Sequence, residues 1–229
     1  RKITFLKNRG IFLENKSQIM KIYLASKSPR RHQIVKALDY PIEIFPIDIY
    51  EGPQKSGETS KQYVSRISKM KSKFAQTKLT SGIVITADTT VDHNGTSLGK
   101  PKSRESAYKM LLALKGTSHQ VYTSVCILDL NTGKISAETE QSTVNMRCYT
   151  LEEINDYIKT NEPFDKAGGY AIQDKTFNPV KTIEGCYLNI VGLPLCKTME
   201  LLAELNIKVN IKENYHTPPE CKDCPLNAS

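Results

Sequence analysis

The chain has 229 residues, 39% hydrophobic and 24% charged, which is enough for a domain with a sizeable core and excludes a disordered or collagen-like chain. Its longest apolar runs, such as Ile83-Val84-Ile85, are far shorter than the roughly 20 residues of a membrane span, so we expect no membrane association. The formal net charge of +8 favours anionic partners, but without tryptophan or a basic stripe interleaved with aromatic residues we expect a solvated surface and no nucleic-acid interface.

The first 19 residues do not share the pattern of the rest. They hold five basic residues against one acid, and Met20 comes immediately before a clear strand. We therefore predict a basic N-terminal extension at 1–19, a folded domain at 20–206 and a C-terminal tail at 207–229.

From residue 21 onward, strand and helix patterns alternate. The apolar run 21–25 predicts a buried strand, and Ser28 followed by Pro29 predicts a helix start. Further strands are predicted at 42–49, 82–88, 121–130 and 134–146 and near 186–191, and further helices at 60–78, between Ser103 and Gly116, from Thr150 to about Lys159, and near 194–205. This alternation predicts the α/β class, with a mixed sheet flanked by helices.

The segment 24–31, Leu-Ala-Ser-Lys-Ser-Pro-Arg-Arg, is the first candidate site. A strand leads directly into a helix N-terminus, where unpaired N–H groups favour an anion. Ser28 caps the helix, and Arg30 and Arg31 add donors suited to phosphate oxygens. The alternative is an ordinary Ser-Pro helix start with solvated arginines.

Three further segments carry candidate chemistry. Asp88 is expected at the end of an apolar strand, where open α/β sheets place ligands, although a turn acid is the alternative. Lys100 lies in a Gly-Lys-Pro turn, as a point cation for phosphate or as an ordinary exposed lysine. Residues 162–173 contain paired glycines, which allow a ligand to approach the backbone closely, and end on Gln173, whose amide suits a base edge.

Taken together and in order, these segments resemble the Maf-type nucleoside triphosphate pyrophosphatases. The resemblance runs from about Ile22 to Leu205 and includes Val-Gly-Leu-Pro-Leu at 191–195. It implies a fold similar to inosine triphosphate pyrophosphatases, with two lobes around a central cleft. The activity implied is hydrolysis of a nucleoside triphosphate to the monophosphate and pyrophosphate, by a protein that forms a homodimer. A cytoplasmic location is expected on separate grounds, from the isolated cysteines and the lack of a signal-peptide pattern.

The resemblance also implies roles for individual residues. Asp88 is the expected catalytic proton acceptor, and Arg31, Thr89 and Gln173 match the positions that set substrate choice. Ser-Pro-Arg-Arg, Ala-Asp-Thr and Ile-Gln look like the branch acting on dTTP and UTP, extending to CTP or modified pyrimidine nucleotides, in a house-cleaning role.

The remaining implied site residues are Glu51, Lys71 and Lys100. Glu51 and Asp88 would hold Mg²⁺ or Mn²⁺, because hard divalent cations prefer carboxylate oxygens. Lys71, Lys100, Arg30 and Arg31 would neutralise the triphosphate, and Ser28 and Arg30 would bind phosphate at the helix start. Two residues depart from the pattern of the family, in which an acid is common at the position of Gln33 and a glycine at the position of Ala171.

The cysteines indicate a reducing compartment. Six of them lie mostly isolated in apolar surroundings, which fits reduced thiols better than a disulfide framework, and no segment has the features of a signal peptide. Cys221 and Cys224 form a Cys-x-x-Cys pair in the tail. Zinc binding between subunits and redox pairing are both open for this pair, and a disordered tail with reduced thiols is the preferred interpretation.

A second class of function competes with the enzyme. The chain could be a nucleotide-binding regulator of septation or cell division in which hydrolysis is incidental, a role linked with the family. An intact Asp88 with its surrounding cations favours the enzyme, because a protein that only binds needs no base.

Overall fold

The computed structural model describes residues 20–221 and 224, so the predicted N-terminal extension at 1–19 lies outside the described residues. The central element is a seven-stranded sheet. Its strands are β1 (Ile22–Leu24), β2 (Ile42–Ile44), β3 (Ile83–His93), β4 (Thr96–Leu98), β5 (Ser118–Asp129), β6 (Ile135–Met146) and β7 (Val180–Glu184).

Six helices flank the sheet in the described part of the chain: α1 (Pro29–Val35), α2 (Ser60–Gln76), α3 (Arg104–Leu114), α4 (Leu151–Lys159), α5 (Tyr187–Val191) and α6 (Leu195–Glu204). Two short 3₁₀ helices, Glu162–Asp165 and Ala167–Gly169, follow α4. Side chains of Ser28, Ser103 and Thr150 cap α1, α3 and α4, as predicted from their positions. Among the described residues, every helix is too short or too polar to cross a bilayer.

The strand order is β2-β1-β3-β5-β6-β7, with β4 paired to β3. β1 runs parallel to both of its neighbours, and the other pairings are antiparallel. Helix α1 makes the crossover from β1 to β2, and α2 packs on β3 and β5. The predicted α/β class, a mixed sheet flanked by helices, is confirmed.

The strand predicted at 82–88 is longer than expected. β3 continues to His93, so Asp88 lies inside the strand and not at its end. The reason is the pairing with β5, which holds β3 from Ile83 to Asp92, whereas the parallel partner β1 ends opposite Ile85. Asp88 therefore projects from a rigid strand just beyond the end of a neighbouring strand.

The strand predicted near 186–191 is wrong, and the one at 42–49 is too long. Residues 187–191 form helix α5, because the Cys186 sulfur accepts the Asn189 N–H at its start and Gly192, at φ 122°, ends it. The strand of this region is β7, which pairs with β6. β2 covers only the first three residues of its predicted range.

Two large buried clusters lie along the long strands. One gathers α1, α5 and α6 against Ile83, Ile85 and Ala87 of β3, and the other gathers α3 and α4 against Val91 on the same strand. β3 and β5 thus extend through both clusters. Asp88 lies between them, in agreement with two lobes that meet at a cleft.

Residues 207–221 and 224, named here the C-terminal extension, pack against the first cluster. Ile207 and Val209 are buried, the Asp39 N–H donates to Asn210 O at 2.8 Å, and Lys212 N–H donates to Ala37 O at 2.9 Å. The expectation of a disordered tail is therefore wrong for the described residues. The apolar spacing of Ile207, Val209 and Ile211 is the signal that could have predicted it.

Candidate active site

A cleft of about 820 Å³ opens between the two lobes. Its walls come from the start of α1, the segment after β2, helix α2, strand β3 and the segment that follows α4. All the site residues expected from the sequence line it: Ser28, Arg30, Arg31, Glu51, Lys71, Asp88, Thr89, Lys100 and Gln173. The fold therefore brings them to one place, and their individual roles stay predictions.

Asp88 is the most deeply placed carboxylate of the cleft. Only 6% of the residue is exposed, and Oδ1 accepts a hydrogen bond from Lys71 Nζ at 2.7 Å. Burial raises the pKa of Asp88, the positive charge of Lys71 opposes this increase, and the negative charge of Glu51 adds to it. A carboxyl group with a raised pKa is suited to accept a proton.

Lys71 joins Asp88 to Glu51. Its Nζ lies 2.7 Å from Glu51 Oε1, and helix α2 places this ammonium group beside strand β3. The Glu51 side chain is 43% exposed, whereas those of Lys71 and Asp88 are 12% and 9% exposed. One buried cation thus holds two carboxylates at the wall of the cleft.

Arg31 is fixed by the protein. Its guanidinium donates from Nε to Gly192 O at 2.8 Å, from Nη1 to Ala87 O at 2.8 Å and from Nη2 to Thr89 Oγ1 at 3.0 Å. Burial lowers the pKa of Arg31, and the charge of Asp88 opposes this effect. Arg31 therefore cannot move freely onto a phosphate, and two of its five N–H groups remain for a ligand.

The Thr89 hydroxyl belongs to a directed chain of hydrogen bonds. Thr123 Oγ1 donates to Asn189 O at 2.7 Å, so its proton is used there. The Thr89 hydroxyl, 2.8 Å from Thr123 Oγ1, must then donate to it, while accepting from Arg31. Thr123 and Asn189 are fully buried, so the chain holds the cleft-facing pair Thr89 and Arg31 in place.

Arg30 crosses the cleft. It donates from Nη1 to Asp165 Oδ2 at 2.9 Å and from Nη2 to Asp165 O at 3.0 Å. Lys166, 7% exposed, contacts the same carboxylate at 2.5 Å and Glu162 Oε2 at 2.7 Å. Arg30 is held by a carboxylate here, so a phosphate would have to compete with Asp165 for it.

Ser28, Lys100 and Gln173 occupy different parts of the cleft. The Ser28 Oγ accepts the Arg31 N–H at 3.4 Å, which uses it as a helix cap. Lys100 is exposed in the segment after β4. Gln173 lies near Tyr187, and the two residues line a small cavity beside the main cleft.

The two residues expected to hold a divalent cation carry the negative charge that such an ion requires. Glu51 and Asp88 converge on a single cationic group, and Mg²⁺ commonly takes one or two protein carboxylates and completes its coordination with phosphate oxygens and water. Among residues 20–221 and 224, no group of three or more histidine, cysteine, aspartate or glutamate side chains is placed to hold a metal ion. Two carboxylates with substrate oxygens are therefore the donor set that fits.

Sequence reasoning missed three side chains of this site. Asp165 and Lys166 lie in the Gly-containing segment 162–173, and an adjacent pair of opposite charges between Pro163 and Gly168 was the available signal. Thr123 had no such signal, because it is one of several polar residues in β5 and acts through Thr89, 34 positions away.

Comparison with known proteins found relatives over most of the chain. A family model described as Maf-like protein matches residues 21–205. The dTTP/UTP pyrophosphatase of Dehalococcoides mccartyi strain BAV1 is 39% identical over 205 residues, covering 90% of this chain and 91% of the relative. Those of Clostridium tetani and Photorhabdus laumondii are 42% and 43% identical, covering 83% and 84% of this chain and 100% and 98% of the relatives. A solved dITP/XTP pyrophosphatase from Mycobacterium abscessus matches 57% of this chain and 76% of its own, with a TM-score of 0.34 and 12% identity.

Proposed function

This chain belongs to the Maf-like protein family, and we propose that it hydrolyses dTTP and UTP to the nucleoside monophosphate and pyrophosphate. It is a nucleoside triphosphate pyrophosphatase, as relatives that share about 40% of its residues over most of its length are named dTTP/UTP pyrophosphatases. The observation that carries the proposal is the buried Asp88 carboxylate bridged to Glu51 by Lys71 in a large cationic cleft.

The proposed reaction uses Asp88 as general base. Its Oδ1 faces Lys71, so Oδ2 is the oxygen that accepts a proton from water. The resulting hydroxide attacks the α-phosphorus, the bond from that phosphorus to the bridging oxygen breaks, and pyrophosphate leaves with the electron pair. Lys71, Lys100 and Arg30 offset the charge that develops on the phosphate oxygens.

Glu51 and Asp88 are the residues that would hold a divalent cation, Mg²⁺ or Mn²⁺. When bound, such an ion neutralises phosphate charge and polarises the phosphorus–oxygen bonds. Lys71, already between the two carboxylates, keeps them close together and limits their mutual repulsion.

Substrate choice is assigned to Gln173, Arg31 and Thr89, which all line the cleft. Gln173 offers a donor and an acceptor to the alternating carbonyl and N–H groups of thymine and uracil. Arg31 and Thr89 lie beside Asp88, where Arg31 has two N–H groups left for a ligand. Hydrolysis of CTP or modified pyrimidine nucleotides, a house-cleaning role, a cytoplasmic location and a homodimer are the further parts of the proposal.

The test is pyrophosphate release from dTTP, UTP, CTP, GTP and 7-methyl-GTP with Mn²⁺. We expect the wild type to prefer dTTP and UTP, Asp88→Asn to be inactive, and the control Asp39→Asn, an exposed aspartate outside the cleft, to match the wild type. Tight nucleotide binding without hydrolysis would instead favour a nucleotide-responsive regulator of septation or cell division.

A further inference from the structure

The C-terminal extension is fastened to the domain at two places. At its start, Ile207 and Val209 are buried and backbone hydrogen bonds join it to the segment after α1. At its far end, Cys224 meets helix α6, where its sulfur lies 3.5 Å from Cys196 Sγ. The two cysteines are 28 residues apart in the chain, so the second contact closes a long loop.

From this contact we propose that Cys196 and Cys224 form a reversible disulfide that locks the C-terminal extension onto helix α6. The two sulfurs are already in van der Waals contact, and a disulfide requires them to approach by about 1.5 Å, to about 2.05 Å. Both residues are partly exposed, so a small oxidant can reach them.

The other cysteines are less suited to this pairing. Cys186 lies near Cys221 and Cys224, but its sulfur accepts the Asn189 N–H at 3.4 Å at the start of α5, and burial raises the pKa of its thiol. Cys126 is buried at the Ser72 hydroxyl, and Cys148 is exposed beside Gly116 in the other lobe. Cys221 is 5% exposed, and the pKa of its thiol is raised to about 12. Burial is the main cause, and the nearby Cys224 contributes less. Its reactive thiolate form is therefore scarce at neutral pH.

The locked segment forms part of the substrate-recognition region. Between the two attachment points, Tyr215 and Pro218 line a cavity of about 300 Å³ together with Tyr187 and Gln173. Gln173 also lines the main cleft, so the extension forms the outer wall behind this residue. The disulfide would fix that wall covalently, whereas the dithiol leaves it held by packing and by the backbone hydrogen bonds at the start of the extension.

The chemistry needs a low-molecular-weight disulfide as oxidant, such as glutathione disulfide. One thiolate of the pair attacks a sulfur of the oxidant, forming a mixed disulfide and releasing one glutathione thiolate. The second thiolate then attacks the protein sulfur and releases the second glutathione. Two cysteine thiols are oxidised by two electrons, and one glutathione disulfide is reduced to two molecules of glutathione.

The test is peptide mapping without reductant after incubation of the full chain with glutathione disulfide. We expect a peptide linking Cys196 to Cys224, a mass lower by two hydrogen atoms, and a thermal unfolding midpoint higher by about 5 °C or more. Excess glutathione should reverse all three changes. Cys196→Ser and Cys224→Ser should abolish them, and the control Cys148→Ser should retain them.

Three results would overturn the proposal. The first is a linkage of Cys224 to Cys221 or Cys186 in place of Cys196. The second is no disulfide under a large excess of the oxidant. The third is one zinc ion per chain in the isolated protein that protects these thiols from alkylation, because that would identify the thiols as metal ligands.

Discussion

Lys71 Nζ lies 2.7 Å from Asp88 Oδ1 and, at the same distance, from Glu51 Oε1. Two neighbouring charges therefore act on the pKa of Asp88, the proposed general base. The positive charge of Lys71 lowers this pKa, and the negative charge of Glu51 raises it. Burial is the largest effect, and it raises the pKa of Asp88 above its ordinary value. This arrangement makes pH dependence a direct test of the site.

We predict that Lys71→Met and Glu51→Gln shift the ionisation of Asp88 in opposite directions. Loss of Lys71 removes the charge that favours the carboxylate, so the pKa of Asp88 rises and the acidic limb of kcat/KM moves to higher pH. Loss of Glu51 moves it to lower pH. The carboxyl carbon signal of Asp88, followed by NMR against pH, checks this even where activity is weak, and shifts in the same direction would contradict it.

Asp88→Asn should reduce kcat by about 10²–10⁴-fold, because an amide keeps the shape but cannot take the proton. The circular dichroism spectrum should stay unchanged, since the strand pairing of β3 does not depend on this side chain. Retention of more than about a tenth of the activity would sink the assignment of Asp88 as the base.

Thr123→Val should lower both stability and kcat/KM. The substitution leaves Asn189 O without its donor and removes the acceptor of the Thr89 proton, which costs about 1–3 kcal/mol for a buried polar group. Thr89 then holds Arg31 less firmly. Urea unfolding and steady-state kinetics measure the two effects, and Thr123→Ser, which keeps the hydroxyl, should restore both.

Gln173→Glu should change the choice of base. The carboxylate removes a donor and places a charge opposite a carbonyl oxygen, so discrimination should change by about ten- to a hundredfold. The measurement is kcat/KM for dTTP, UTP, CTP, GTP and 7-methyl-GTP. An unchanged ranking, or a wild type that prefers 7-methyl-GTP, would refute the assignment to the dTTP/UTP branch but leave the pyrophosphatase itself standing.

Stability should fall at acidic pH partly because of His119. This residue is 3% exposed, its Nε2 lies 2.7 Å from the Tyr170 hydroxyl, and burial lowers its pKa from 6.5 to about 4. The unfolded chain therefore binds a proton below about pH 6.5 that the folded chain does not bind until about pH 4. The loss approaches roughly 3 kcal/mol at pH 4, as each pKa unit corresponds to about 1.4 kcal/mol.

The check is the free energy of unfolding by urea between pH 7 and 4.5 for the wild type and His119→Gln. The difference between the two proteins should shrink as the pH falls, because glutamine has no proton to gain. A difference that stays constant with pH would show that His119 does not titrate in this way.

Local signals in the sequence predicted much of the fold. Side-chain caps at Ser28, Ser103 and Thr150 marked three helix starts, since capping involves residues only three positions apart. The helix at 187–191 was missed because four of its five residues are apolar and the segment is too short to show a helical period. Its cap is a cysteine sulfur, which few sequence rules anticipate.

The sequence by itself determined the α/β class, the family resemblance and most of the charged residues that meet in the cleft. Only the tertiary structure decided what these residues do to one another. Arg31 is held by Gly192 O and Ala87 O, 161 and 56 positions away, and Arg30 is held by Asp165, 135 positions away. Local patterns cannot encode such contacts, because each one depends on how separate strands and helices pack. As a result of that packing, Arg30 and Arg31, which the sequence predicts to be open to phosphate, already donate hydrogen bonds to the protein.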